Sequence, residues 1–136
     1  MKYLGCIAGV FAASVAAAET PELVVYTYDS FVSDWGPGPA VEKAFEAECG
    51  CDLKFVGAGD GASLLARVKL EGARTEADIV LGLDTNLTAA AAATELFAAH
   101  GLSAEYNLPI AWEDANFVPF DWGYFAFVHI EGVDAP

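Results

Sequence analysis

The sequence predicts an α/β fold, with a doubly wound, mostly parallel sheet and helices on both faces. Two observations carry that prediction. Short apolar runs rich in β-branched residues alternate with segments of helical spacing, in the order strand, helix, strand, helix, strand, helix from Leu23 to Ala99. Clusters of Gly and Pro separate them where the chain has to turn.

The first strand is Leu23-Val24-Val25-Tyr26-Thr27, a composition suited to a strand covered on both faces. Polar residues return at Tyr28-Asp29-Ser30, and Trp35-Gly36-Pro37-Gly38-Pro39 is a turn. Pro39 suits the first turn of the helix that follows, about Ala40 to Glu48, where Val41, Ala44, Phe45 and Glu48 share one side. Leu53 to Val56 is the second strand. Gly59-Asp60-Gly61 opens a second helix that turns Leu64, Leu65, Val68 and Leu70 inward and stops at Gly72. Asp78 to Gly82 is the third strand, and Leu87 to Ala99 is an Ala-rich helix closed by Gly101. Phe117 to Pro119 and Gly123 to Val128 read as later extended segments.

A length of 136 residues allows one domain or one lobe of a larger protein, and 55% hydrophobic residues supply a core. Six basic residues against 20 acidic ones give a formal charge of −14. That balance repels nucleic acid and anionic membranes, and it is compatible with a small cationic ligand.

Met1 and Lys2, the apolar run Tyr3 to Val15, and Ala16-Ala17-Ala18 have the layout of a secretory signal peptide over residues 1–18. Cleavage before Glu19 leaves five basic and all 20 acidic residues, a net charge of −15. Export to an oxidising compartment makes Cys49 and Cys51, separated only by Gly50, candidates for a small local disulfide. The pair lacks the C-x-x-C spacing of thioredoxin-like enzymes, and no second pair or His cluster accompanies it to hold zinc. His100 and His129 stand alone as surface or edge residues.

In doubly wound sheets, ligands bind outside the carboxyl ends of the strands. Three segments matter on that ground: Thr27 to Trp35, Gly57 to Gly61 and Gly82 to Asn86. They carry Tyr28, Asp29, Trp35, Asp60, Asp84 and Asn86, so carboxylates stand among aromatic rings. Such a set suits a flat cation through stacking and cation–π attraction. Asp60 also has a plainer reading as a helix N-cap, and a carboxylate with two oxygens can do both. Tyr28 and Trp35 divide evenly between core and site, and the aromatics from Phe120 to Tyr124 read as packing. The sequence contains no G-x-S-x-G, P-loop, H-E-x-x-H or G-x-G-x-x-G pattern. Binding is favoured over catalysis.

The run Val25-Tyr26-Thr27-Tyr28-Asp29-Ser30-Phe31, followed by Asp34-Trp35-Gly36-Pro37-Gly38-Pro39, resembles the periplasmic thiamine-binding proteins of bacterial ABC importers. The likeness continues through Cys49-Gly50-Cys51, Asp60-Gly61-Ala62-Ser63-Leu64-Leu65, Ala77-Asp78-Ile79-Val80-Leu81-Gly82-Leu83-Asp84 and Phe117 to Phe127. It implies a type II periplasmic-binding-protein-like lobe over residues 19–136, with the second lobe largely absent and the chain a partial one. It implies a solute-binding component, not an enzyme, that passes thiamine or its phosphate esters to an inner-membrane permease. Such a protein works in the periplasm without a cofactor or metal, as a monomer at full length. Asp60 and Gly61 match positions that contact the ligand, and Tyr28 and Trp35 match aromatics near it. The alternatives are another solute, such as ferric iron or a polyamine, and an exported thiamine-degrading enzyme. The enzyme needs a nucleophilic Cys at the site, whereas Cys49 and Cys51 precede the second strand and so fall at the opposite edge of the sheet.

Overall fold

The computed structural model describes residues 19–103, 105–124, 126, 128 and 130–132. The expected signal peptide lies outside the described residues, as do Phe125, Phe127, His129 and Val133 to Pro136. Three strands form one parallel sheet: β1 (Glu22–Thr27), β2 (Asp52–Gly57) and β3 (Ile79–Val80), in the order β2-β1-β3. The helices are α1 (Asp29–Val32), α2 (Gly38–Cys49), α3 (Gly61–Glu71) and α4 (Thr88–Ala92), with a 3₁₀ turn at Gly72–Arg74.

Strand alternation divides the core into two layers. Val24 and Tyr26 face α3, where they are buried with Leu64 and Val68, and Val56, Val80 and Phe97 pack around them. Leu23 and Val25 point the other way, where Leu53, Phe55, Phe31 and the α2 residues Val41 and Phe45 surround an apolar cavity of about 210 Å³. Helices therefore cover both faces, as the alternating pattern predicts. Side-chain carboxylates finish the sheet at its amino edge. Glu46 Oε1 accepts from the Leu53 N–H (3.0 Å), and Asp78 Oδ2 accepts from the Val24 N–H (2.9 Å).

Several expectations need correction. The polar stretch after β1 adds an element that the sequence did not predict: Asp29–Val32 forms one helical turn that buries Phe31 completely. Leu70 is 83% exposed. At two positions beyond Val68 it lies on the far side of α3 from the inward residues. The third strand contracts to Ile79–Val80, although ladder bonds continue from the Asp78 N–H to the Val24 carbonyl and from the Leu81 N–H to the Tyr26 carbonyl, both 2.9 Å. The Ala-rich helix also stops early, at Ala92, and Glu95 turns the chain with φ 57°. Alanine favours helix locally, but this segment offers few large apolar side chains to bury, and packing supplies most helical stability. The segments read as extended, Phe117 to Pro119 and the described part of Gly123 to Val128, join no ladder of the sheet.

Candidate site at the carboxyl edge of the sheet

The chain leaves β1 for β2 on one side and later crosses to β3 on the other, so the connections diverge at the carboxyl ends of β1 and β3. This is the topological switch point at which open α/β sheets bind ligands. Tyr28 follows β1 directly, Gly57 to Gly61 links β2 to α3, and Gly82 to Asn86 links β3 to α4.

These segments meet through close backbone approaches. Gly82 adopts φ 109°, and a Cβ there would lie 2.3 Å from Cδ1 of the Tyr28 ring, so only a glycine lets that ring come so close to the backbone. At Gly61 a Cβ would come within 2.9 Å of the Gly82 carbonyl oxygen. Tyr28, Gly61 and Gly82 therefore form one continuous surface, with Asp60 next to it in sequence. The Tyr28 ring is further braced edge-on against Phe31, with centroids 5.6 Å apart.

Asp60 is the N-cap of α3: its Oδ1 accepts from the Ser63 N–H at 2.8 Å. Hydrogen bonds from the Ser63 backbone and hydroxyl hold its carboxyl below the usual carboxylate range. The cap reading of Asp60 is thus correct. The backbone bond goes to Oδ1, and the residue remains exposed at the helix N-terminus.

The later part of the chain reaches this region at Phe120 and Asp121. Burial first, and then the Asp121 carboxylate, hold the Tyr28 hydroxyl above its ordinary range. The neighbouring Phe120 ring stands edge-on to Phe31 at 5.9 Å. Trp122 and Tyr124 pair with each other at 5.6 Å but remain 58% and 78% exposed, so they are not core packing. Trp35 stands in the turn between α1 and α2 and is 80% exposed, which rules out a core role in this chain. The structure thus brings together Tyr28, Asp60 and Gly61 of the expected residues and leaves Trp35 out in solvent. Gly82 lies in a segment that the sequence marked, but its contact with Tyr28, the effect of Asp121 on Tyr28 and the loop contacts of Asp29 were not read from it. The signal for Asp29 and Gly82 was their strand-end placement, whereas Asp121 gave none, because only tertiary packing brings it to Tyr28.

The cysteines lie elsewhere. Cys49 and Cys51 are joined by a disulfide between the end of α2 and the start of β2, at the amino edge of the sheet. Gly50 between them is the left-handed cap of α2, and its N–H bonds to the Glu46 carbonyl. His100 is tied to the later chain, with Nε2 2.9 Å from the Asp114 carbonyl and Nδ1 accepting from the Leu102 N–H. Among the described residues no group of three or more His, Cys, Asp or Glu is placed to hold a metal.

No protein-family model matches the chain. A thiamine-binding periplasmic protein of Escherichia coli (strain K12) is 56% identical over 125 residues, which is 91% of this chain and 36% of the relative. One of Salmonella typhimurium is 59% identical over 110 residues, 80% of this chain and 34% of the relative. A third, from Haemophilus influenzae, is 41% identical over 88% of this chain. A solved periplasmic thiamin binding protein superimposes with a TM-score of 0.74 and 55% identity, covering 78% of this chain and 34% of that one. The chain spans about a third of the length of these relatives. In sequence and in fold, therefore, it resembles the periplasmic thiamine-binding proteins over that third.

Proposed function

We propose that the chain is one lobe of an extracytoplasmic solute-binding protein that holds thiamine, or a thiamine phosphate, for an inner-membrane ABC permease. On this reading it acts in the periplasm, as a binder and not as an enzyme, and is monomeric when joined to the rest of the polypeptide. The observation that carries the proposal is the 56% identity with a relative named for thiamine binding, over a span that includes the whole switch-point surface.

The chemistry is consistent with that reading. Thiamine joins a positive thiazolium ring to a flat aminopyrimidine. The Asp60 carboxylate, with Oδ1 engaged by the Ser63 N–H, offers charge to the cation or an acceptor to the amine. Gly61 and Gly82 let the two loops and the Tyr28 ring pack closely together, and that ring supplies a flat wall. Trp35, free of the core, is available as a second aromatic face. None of the mature chain's five basic residues lies on these strand-end loops. The ferric-iron and polyamine readings fit less well, since the former leans on several tyrosines and the latter needs no flat wall.

The test is a calorimetric titration of this chain grafted onto the remaining two thirds of the E. coli relative. Thiamine should bind with a dissociation constant of about micromolar or tighter, and spermidine should not compete. A folded graft that ignores thiamine, or prefers spermidine, overturns the proposal.

A further inference from the structure

Asp29 follows Tyr28, and both its backbone and its side chain are engaged with a loop 30 residues away in sequence. Its N–H donates to the Gly59 carbonyl at 2.8 Å, and its Oδ1 accepts from the Gly59 N–H at 2.9 Å. Both polar groups of Gly59 are thereby held by a single residue. Gly59 immediately precedes Asp60 and has φ 81°, a conformation with many alternatives for an unrestrained glycine. The helix cap cannot provide that restraint, because the bond from Ser63 to Asp60 begins beyond Gly59. Space for the carboxylate is left by Gly57, where a Cβ would sit 2.7 Å from Asp29 Oδ1.

We infer that Asp29 is a positioning residue for the ligand-facing loop. By gripping Gly59 from both sides, it sets the direction in which Asp60 and Gly61 leave β2 and enter α3. It does this as a hydrogen-bond acceptor, not as a charge presented to the ligand. The inference rests on the reading of Asp60 and Gly61 as thiamine contacts.

NMR on the chain grafted onto the remaining two thirds of the E. coli relative tests it with two readouts: amide exchange at Gly59 and chemical-shift titration with thiamine. Asp29→Ala removes the acceptor, so Gly59 should exchange about tenfold faster and thiamine should bind about tenfold more weakly. Asp29→Asn keeps an acceptor oxygen and should hold both quantities within about threefold of the parent. Gly57→Ala drives a methyl into the carboxylate and should reproduce the losses of Asp29→Ala. Equal losses in Asp29→Asn and Asp29→Ala would show that the charge acts, overturning the positioning role. Parental exchange and affinity in Asp29→Ala would overturn it too. If that variant does not fold, parental Gly59 exchange in Gly57→Ala does the same. A folded parent graft indifferent to thiamine refutes the functional reading instead, while the Gly59 exchange series still decides whether the clamp exists.

Discussion

Replacing Gly82 with Ala should damage the fold and the site together. At φ 109° an L-residue is strained by about 1–3 kcal/mol. The new methyl would also lie 2.3 Å from Cδ1 and 2.8 Å from Cε1 of Tyr28, and overpacking of that kind costs about 1–3 kcal/mol more. The ring cannot retreat freely, because Phe31, fully buried, stands edge-on behind it. The two effects give about 2–6 kcal/mol, a large part of the roughly 5–15 kcal/mol that holds an ordinary domain together. Urea unfolding of the parent, Gly82→Ala, Tyr28→Ala and the double variant separates them. With the ring gone, Gly82→Ala should retain only its backbone strain, so the cycle should show about 1–3 kcal/mol of coupling. Additivity within about 0.5 kcal/mol would refute the contact between the Tyr28 ring and the Gly82 backbone.

Further outcomes follow from the same geometry. Asp60→Asn keeps the helix cap but removes the charge, so thiamine affinity should fall about 10- to 100-fold without loss of fold; unchanged affinity would leave Asp60 as a cap alone. The lowered Asp60 pKa contributes stability that is present above its unfolded value, near 4, and is lost as pH falls through the folded value; the stability difference between parent and Asp60→Asn should be constant above that range and shrink as pH falls through it. Asp121→Asn should bring the Tyr28 hydroxyl back towards its usual range, read as tyrosinate absorbance. Because the folded Tyr28 pKa is raised, its contribution is present below about pH 10 and is lost as pH rises through the folded value. Changing Cys49 and Cys51 to Ser should cost less than the roughly 2–4 kcal/mol of disulfides that close longer loops, and mass spectrometry should find both sulfurs of the parent protected from alkylation.

The elements with internal periodicity were legible in the sequence. Leu23 to Thr27 and Leu53 to Val56 are the centres of β1 and β2, and Gly72 ends α3 as expected. Asp60 announced its cap because the side chain and its partner Ser63 are three residues apart. Features set by distant partners were not legible. The four-residue α1 carries no repeat of its own and is anchored at its start by Asp29 bonding to Gly59. Gly82 looks like any strand-end glycine until Tyr28 lies across it. The Ala run misled for the opposite reason, since its local preference was plain and its packing was not.

The central claim is that a carboxylate beside aromatic and glycine surfaces recognises a flat cation. The most direct measurement is the affinity of the grafted protein for thiamine against an analogue whose thiazolium is replaced by a neutral ring of the same shape. A charge-assisted contact predicts that thiamine binds at least about tenfold more tightly. Equal affinities for the two would contradict the claim, because shape alone would then account for binding.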